Sequence, residues 1–397
     1  KFPSNITLKN IITDYTSVLV FLCYCALMNF DYSEEQRLLQ QEARKFLTDN
    51  SGCAAVRRVL NDAEKSFDDT LWSSVAELGW LGAIIPECYG GLGLDATDLC
   101  AISEELGRAI TPIPFSSTVY LFTQALLLAG SEEQRTSLLP KIAEGNLIGC
   151  LATSEGPGVR TIEARVERGQ LNGLKLPVTD GDIADFAIVL ASDTRGCSLY
   201  LADLRAGGVQ ASPLATLDPS RGAAELKFSN TPVERLGDAG NGHMLVQQIF
   251  DRAAIFIAFE QIGGSDAVLE MARDYALERH AFGRPIGSFQ AIKHRIANMY
   301  VRNQIARSNC YYGAWALEAQ SAELPKAAAA ARVSANEAFR FSAKESIEVF
   351  GGIGTTWEAD CHLFYRRAKQ LALAVGPTAV WRERLATELE RVTTPTV

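Results

Sequence analysis

Residues 275–290 read YALERHAFGRPIGSFQ and contain the end of one helix, a tight turn and the beginning of the next helix. The apolar periodicity before this run ends at Gly283, Pro285 is typical of a turn, and helical spacing resumes near Ser288. Arg279 falls in the last helical turn, where a cation interacts favourably with the carbonyl end of the helix dipole. A guanidinium can also bind two phosphate oxygens at once. From these residues alone, a phosphate ligand and a plain helix terminus with an exposed Arg remain alternatives.

The periodicity on either side of this run divides the chain into three parts. Helical spacing dominates residues 28–148, where Ser33 is the expected N-cap of the first helix and Gln36 completes a capping box. Residues 149–236 contain short alternating segments without crossover helices between them, a pattern that predicts an antiparallel sheet. Long amphipathic segments in residues 237–397 predict a bundle of four or five helices. We therefore expect a mostly α protein with a central β domain.

The composition is that of an ordinary globular protein, with 47% hydrophobic and 21% charged residues. The chain has 397 residues, more than one hydrophobic core usually serves, so two or three packed units are expected. The 38 Lys and Arg residues against 47 Asp and Glu give a formal net charge of -9. This acidic balance argues against nonspecific binding to nucleic acid or to an anionic membrane. It leaves open an anionic ligand at a helix terminus.

The cysteines and histidines do not have the spacing of metal ligands. The nine cysteines are odd in number and scattered, and only Cys23 and Cys25 lie close together. Such spacing is typical of free thiols in a reducing compartment, so we expect a cytoplasmic protein without a bound metal. The four histidines lack ligand spacing as well. They are His243, His280, His294 and His362.

Residues 1–27 differ in character from the rest of the chain. The run from Tyr15 to Phe30 is largely apolar and uncharged, but it is shorter than the roughly 20 residues that a membrane-spanning helix needs. Its flanks are acidic, unlike those of a secretory signal. We predict that Met28 is the natural start and that residues 1–27 are a non-native extension, with a membrane anchor or signal as the alternative. No stable membrane insertion is expected.

Residues 275–290 also resemble the signature of the acyl-CoA dehydrogenase family. That signature reads Tyr-Ala-x-x-Arg-x-x-Phe-Gly-x-x-Ile-x-x-Phe-Gln, and every fixed position is matched. Further runs are similar to family motifs and follow in the family's order: ELGW at 77–80, PECYGGLG at 86–93, EELGR at 104–108 and FGGIGTTWE at 350–358. The last run, followed by HLFYRR at 362–367, looks like a bacterial branch that includes heteromeric members and steroid side-chain enzymes.

The resemblance implies a helix–sheet–helix fold and an oligomer, a dimer or tetramer, with FAD bound between subunits. Near the FAD pyrophosphate of a neighbouring subunit it implies Arg279 and Gln290. It implies Gly351 and Gly352 beside the dinucleotide, with Phe282 as a further cofactor-binding residue. Glycine would let the backbone approach the dinucleotide closely. Near the flavin ring it implies Thr153 or Ser154, together with Thr179.

The implied reaction is α,β-dehydrogenation of an acyl-CoA thioester, whose acyl chain would enter between the bundle and the sheet domain. A carboxylate removes the α-proton while the β-hydrogen leaves as hydride to the flavin, and an electron-transfer protein accepts the electrons. The implied partners are therefore acyl-CoA, an electron-transfer acceptor protein and further subunits, identical or different.

The residues expected to supply the base depart from the family pattern. Val375 stands where the family usually has its catalytic Glu, and Ala253 stands at the position that a minority of members use. Neither side chain can accept a proton. Glu260 lies nearby in an apolar helical stretch, where burial could raise its pKa into the range of a base. A Glu neutralised by a neighbouring Arg, or facing solvent, is the alternative.

Other expected site residues are also changed. Pro177 replaces the Trp beside the flavin, Ala254 replaces an Arg, and Glu348 replaces the Gln before the glycine pair. Glu348 would repel a pyrophosphate unless Arg366 or Arg367 paired with it. These losses favour a noncatalytic subunit that completes a neighbour's FAD site. The alternatives are an enzyme that uses an unconventional base and a binding protein that has lost both ligands.

Overall fold

The computed structural model describes residues 31–62, 65–157 and 161–393. The predicted extension at residues 1–27 lies outside these ranges, so its origin stays a prediction. The family-type architecture of two helical parts around a sheet is present, and the order of the elements follows that expectation.

The first part of the chain is helical. Its α-helices are α1 (Glu34–Asn50), α2 (Gly52–Asn61), α3 (Asp69–Glu77), α4 (Ala96–Arg108), α5 (Gln124–Ala129) and α6 (Glu132–Ala143). The capping box predicted at Ser33 and Gln36 is confirmed, because each side chain accepts a hydrogen bond from the other residue's backbone amide. Short 3-10 turns at Trp80–Gly82 and Glu87–Tyr89 lie between α3 and α4.

A π-helical segment at Ser116–Thr123 precedes α5, where the sequence suggests an ordinary helix over residues 119–128. All eight of its residues are buried. The Thr118 hydroxyl accepts a hydrogen bond from the Gly149 amide at 3.3 Å, which joins this segment to the first strand of the sheet. The wider π turn thus aims hydroxyl groups at the sheet, an arrangement often found near functional sites.

The central part is a seven-stranded sheet. Its strands are β1 (Gly149–Ala152), β2 (Arg165–Glu167), β3 (Gln170–Thr179), β4 (Phe186–Asp193), β5 (Gly196–Asp203), β6 (Val209–Pro213) and β7 (Ala223–Leu236). The pairings run β1-β4-β2-β3-β7-β5, with β6 on β7 and a further pairing of β4 with β5.

The prediction of a purely antiparallel sheet is wrong, because the sheet is mixed. β1 lies parallel to β4, with Gly149 opposite Phe186, and β2 also meets β4 in parallel. A parallel pair needs a long connection. Here the β2–β3 hairpin occupies the connection between β1 and β4, so no crossover helix is required and the sequence pattern misses the parallel pairing.

The last part is a helical bundle. Its helices are α7 (Gly242–Glu278), α8 (Gln290–Glu318), α9 (Leu324–Phe350), α10 (Cys361–Leu371) and α11 (Thr378–Thr393), and a short hairpin, β8 (His280–Ala281) with β9 (Arg284–Pro285), connects α7 to α8. The central helix α7 packs against α4, α8 and α9. The fourth bundle helix begins at Cys361, later than the Trp357 that the pattern suggests, because Gly351–Thr355 forms a 3-10 turn and residues 356–360 are not helical.

Two features, a membrane-spanning helix and a metal-ligand cluster, are absent from the described ranges. No helix in the described ranges is long and apolar enough to cross a bilayer. The same ranges contain no group of three or more His, Cys, Asp or Glu side chains placed to hold a metal ion.

Candidate functional site

The end of α7 holds Arg279 with its side chain in solvent. The Arg279 amide donates to the Tyr275 carbonyl at 2.8 Å, and the Ile286 amide donates to the Arg279 carbonyl at 2.7 Å. These bonds fix the backbone, while the exposed guanidinium makes no ion pair or hydrogen bond with any residue in the described ranges. An unpaired cation at a fixed helix end is able to bind an anionic ligand.

The glycine pair lies at the same end of the bundle as Arg279. The Tyr275 ring, one helical turn before Arg279, stacks on the Phe350 ring with centroids 4.1 Å apart. Phe350 directly precedes Gly351, so this stacking joins the end of α7 to the end of α9. A Cβ added at Gly351 or Gly352 would meet nothing within 4 Å, so the backbone there is open to a ligand or a neighbouring molecule.

Phe282 and Gln290 complete this exposed region. Phe282 lies in the β8–β9 hairpin with φ +52° and is 96% exposed. Its ring packs edge-to-face against the Phe289 ring, with centroids 6.2 Å apart. Phe289 directly precedes Gln290, the first residue of α8. Five expected cofactor residues are therefore exposed together, and we name them the bundle-end patch: Arg279, Phe282, Gln290, Gly351 and Gly352.

Glu348 is exposed near the bundle-end patch, and the expected pairing with an arginine is wrong for both candidates. The Arg367 Nε binds Asp218 at 2.7 Å in the interior. The Arg366 guanidinium lies 5.8 Å from the centre of the Trp357 ring. Glu348 is thus a negative charge beside the patch that any bound phosphate has to tolerate.

The residues expected near a flavin ring lie on the sheet. The Leu176 amide donates to the Ser154 carbonyl at 3.0 Å, which places the segment after β1 alongside the end of β3. Thr179 is the last residue of β3. Thr153, Ser154 and Thr179 are all half-buried. Among the described residues, no hydrogen bond or ring contact connects these three to the bundle-end patch.

A buried ion pair fixes the loop that carries Ser154. The Glu155 carboxylate accepts from Lys175 Nζ at 2.6 Å and from the amides of Glu163 and Ala164 at 2.7 and 3.0 Å. Burial lowers the pKa of Lys175, and the facing carboxylate opposes that effect. Burial would raise the pKa of Glu155, but the Lys175 ammonium and the two amides lower it overall. These contacts hold Glu155, the residue after Ser154, against β3 and the residues before β2.

The three candidate positions for a base are all buried. Ala253 is 0%, Val375 2% and Glu260 4% exposed. Glu260 lies seven positions after Ala253 and so on the same face of α7, two turns along. Burial raises the pKa of the Glu260 carboxyl, and the Arg221 and Arg367 charges oppose it. The nearest of these cations is the Arg367 Nη1, 4.0 Å from the Glu260 Oε1.

Asp251, the other acidic residue near Ala253, is engaged elsewhere. Its Oδ1 lies 2.6 Å from the Arg384 Nη2 on α11. Burial nevertheless raises the pKa of Asp251 to about 6, against the opposing effect of Arg384. Asp251 is therefore a titratable group of the bundle interior, held by an ion pair.

A set of buried charges that the sequence pattern did not reveal lies where the three parts of the chain meet. We name it the junction cluster; its members are Asp180, Asp218, Ser220, Arg221 and Arg367, none of them more than 3% exposed. The only sequence signal was the run Asp218-Pro219-Ser220-Arg221, which places two charges in a turn between strands. Exposed turns commonly contain such charges, so the run alone does not predict burial.

Comparisons with known proteins decide the family. The acyl-CoA dehydrogenase N-terminal domain matches residues 33–146, and the C-terminal domain matches residues 240–390. The chain is 35% identical over 358 residues to the acyl-CoA dehydrogenase IpdE2 of Mycobacterium tuberculosis, which covers 90% of this chain and 98% of that protein. This chain belongs to the acyl-CoA dehydrogenase family. It is thus related along most of its length to oxidoreductases that act on acyl-CoA.

Solved structures share the fold of this chain. The ChsE4-ChsE5 complex from Mycobacterium tuberculosis matches with a TM-score of 0.83 and 26% identity, over 93% of this chain and 100% of that one. Butyryl-CoA dehydrogenase from Megasphaera elsdenii matches with a TM-score of 0.83 and 25% identity, over 92% and 100% of the two chains. Members of the acyl-CoA dehydrogenase family are FAD flavoproteins.

The chemistry of the two groups of residues is compatible with different ends of FAD. The bundle-end patch offers a free guanidinium, an amide side chain and a glycine backbone with open space, which suit a pyrophosphate. Glu348 weakens that fit. The ends of β1 and β3 offer the hydroxyl groups of Thr153, Ser154 and Thr179, which suit the polar edge of a ring system. Pro177 adds no hydrogen-bond donor there.

Proposed function

We propose that this chain is a subunit of a heteromeric, FAD-dependent acyl-CoA dehydrogenase in which a partner subunit supplies the catalytic base. In this assembly the bundle-end patch completes the FAD site of the partner. The observation that carries the proposal is a contrast within one chain. The patch for a neighbour's dinucleotide is exposed, and its Arg279 has no charged partner among the described residues. The positions for a base, in contrast, hold buried Val375 and Ala253.

The residues of this chain would act by binding and orientation. Arg279 would form charge-assisted hydrogen bonds to a phosphate, and its fixed backbone would limit the entropy lost on binding. Gln290 would donate its amide N–H to the same region, and Gly351 would admit the dinucleotide close to its backbone. FAD, when bound, supplies the hydride acceptor for the β-hydrogen of the acyl group.

The similarity to the ChsE4-ChsE5 complex supports a heteromer, because one chain of that complex has this fold and the complex is named for two different chains. The acidic net charge of -9 gives no reason to expect nucleic acid as a partner. We therefore place this chain with a base-bearing homologue, with acyl-CoA as substrate and an electron-transfer protein as acceptor.

The test is to purify this chain alone, a base-bearing homologue encoded beside it alone, and the two together. The proposal predicts visible flavin absorbance and bleaching by acyl-CoA only for the mixture. Robust turnover by this chain alone would refute it. Failure of the mixture to take up FAD would instead favour a binding protein that has kept only the fold.

A second candidate is catalysis by this chain with Glu260 as the base. The favouring observation is that burial raises the pKa of Glu260, as base chemistry near neutral pH requires. Under this candidate the Glu260→Gln variant loses turnover while retaining flavin. Turnover that survives Glu260→Gln removes Glu260 as the base.

A further inference from the structure

The junction cluster joins all three parts of the chain at one point. Asp180 directly follows Thr179 at the end of β3, and Asp218 to Arg221 lie between β6 and β7. The π-helical segment contributes Ser116 and Ser117 from the N-terminal part, and α10 contributes Arg367 from the bundle. This is the boundary between sheet and bundle, where the family resemblance implies that an acyl chain enters.

The first ion pair of the cluster is joined to its surroundings by several hydrogen bonds. The Arg221 Nη2 lies 2.8 Å from the Asp180 Oδ2 and donates to the Ser116 hydroxyl at 2.8 Å. The Ser117 hydroxyl donates to the same Asp180 oxygen at 2.6 Å. The Arg221 carbonyl accepts from Gln370 of α10 at 3.3 Å. One arginine thus contacts the N-terminal part, the sheet and the bundle.

The second ion pair is just as enclosed. The Arg367 Nε donates to the Asp218 Oδ2 at 2.7 Å, its Nη2 to the Ser220 hydroxyl at 3.0 Å, and its Nη1 to the Thr111 carbonyl at 3.1 Å. The Arg367 side chain is 1% exposed and that of Asp218 is 4% exposed. Three of the five N–H groups of Arg367 therefore have partners within the protein.

Such a junction is a poor site for an acyl chain. Acyl groups bind in slots lined mainly by apolar side chains. An acyl chain placed here would separate desolvated charges from their partners, which is strongly unfavourable in the interior. Burial of the methylenes of the acyl chain would offset only part of that loss.

We propose that the junction cluster closes the sheet–bundle cleft of this chain to acyl groups, so that acyl-CoA binds only in the partner subunit's cleft. The proposal rests on the heteromeric function above and assigns the substrate to one of the two subunits. The loss of the base and the closure of the cleft are then two separate departures from catalysis in the same chain.

The experiment is photolabelling with octanoyl-CoA that carries a diazirine in its acyl chain, applied to the full chain alone and to its mixture with the base-bearing partner. Mass spectrometry of the peptides locates the label. We expect no label on residues 111–123, 176–183 or 216–222 of this chain that unlabelled octanoyl-CoA can compete away, and competable label on the partner. Competable label on these segments of this chain would overturn the proposal.

Removing one complete ion pair tests the closure directly. The Asp180→Ala/Arg221→Ala double variant removes both charges of that pair, although it also takes one cation from the surroundings of Glu260. We expect it to gain competable labelling at least tenfold above wild type. The matched control is Glu155→Gln/Lys175→Met, which removes a buried pair of the same sheet and should gain none. A folded double variant that stays unlabelled counts against the proposal; if the variant does not fold, the wild-type labelling pattern decides.

The two proposals fail in different ways. If no flavin-containing heteromer forms but this chain alone remains unlabelled, the proposed function fails and the closed cleft stands. If a flavin-containing heteromer forms and competable label appears in the junction of this chain, the closed cleft fails and the heteromer stands.

Discussion

Asp251 is a buried carboxylate whose ionisation should be visible in the stability of the protein. Its pKa is raised by burial from an ordinary 3.8 to about 6, so between these pH values the folded chain binds more protons than the unfolded chain. The stability that Asp251 contributes is therefore complete below pH 3.8 and is lost as the pH rises through about 6.

The Asp251→Asn variant tests this pH dependence. The free energy of unfolding of wild type minus that of Asp251→Asn should fall by roughly 2.4 kcal/mol between about pH 4 and pH 7, since each pKa unit is worth 1.36 kcal/mol. Urea unfolding at several pH values measures it, and subtraction removes the contributions of the other titrating groups. A difference that rises with pH would mean that Arg384 outweighs burial.

Removing one partner of the buried pair of Lys175 and Glu155 should lower the stability of the protein strongly, whereas replacing both with neutral residues should lower it much less. The Lys175 side chain is 0% exposed and that of Glu155 is 6% exposed, so Lys175→Met leaves a buried carboxylate without its cation. We expect a loss of about 3–5 kcal/mol for Lys175→Met and a much smaller loss for Lys175→Met/Glu155→Gln.

Urea unfolding of the two variants decides the point. The exposed pair of Arg382 and Glu337 is the control, and Arg382→Met should change stability by less than about 1 kcal/mol. Equal losses for the single and the double variant would show that Glu155 acts through its backbone hydrogen bonds and not through Lys175.

At the scale of elements, the crossing of α4 and α7 depends on two glycines. A Cβ at Gly107 would lie 1.8 Å from the Glu260 carbonyl oxygen, and one at Gly263 would lie 1.8 Å from the Glu104 carbonyl oxygen. Each glycine therefore lets one helix backbone touch the other. Neither obstacle is a flexible side-chain end, so the helices themselves would have to move apart.

Gly107→Ala should consequently destabilise the protein by about 3 kcal/mol or more, at or above the upper end for overpacking. Gly207→Ala is the matched control, because a Cβ there would meet nothing within 4 Å and the position has no positive φ. Thermal unfolding compares the two variants. A loss below about 1 kcal/mol for Gly107→Ala would mean that the helices are not in backbone contact.

The turn after α9 offers a similar comparison within the bundle-end patch. Gly351 has φ +64°, which strains any other residue, whereas Gly352 has no positive φ, and both face open space. Gly351→Ala should cost about 1–3 kcal/mol of stability, and Gly352→Ala should cost much less. Unfolding by urea measures both losses. Similar losses at the two positions would contradict the backbone conformation of the turn.

At the scale of the whole molecule, the sequence pattern predicts the architecture but not the contacts between its parts. The order of helices, strands and helices follows local periodicity, which each segment carries in its own residues. The parallel pairing of β1 with β4 and the burial of Arg221 depend on segments far apart in the chain. The spacing of residues within one segment cannot predict such contacts between distant segments.

The site residues likewise divide into those that a continuous motif marks and those that only the fold brings together. The motif at residues 275–290 marks Arg279 and Gln290, and the glycine run marks Gly351, because each motif is continuous in sequence. Asp180 and Asp218 belong to no such motif, and only the fold brings them to Arg221 and Arg367. Glu260 could be selected from its apolar surroundings, but its position beside Arg367 could not. Its role as a base remains a prediction.

The proposed function requires the bundle-end patch to hold a dinucleotide that is shared with another subunit. The most direct measurement is the flavin content of the heteromer when only this chain carries Arg279→Ala, with Arg273→Ala on the same helix as control. Loss of charge-assisted hydrogen bonds should weaken FAD binding at least tenfold, about 1.4 kcal/mol, while the control keeps its flavin. An Arg279→Ala heteromer that keeps its full flavin content would contradict the proposed role of the bundle-end patch.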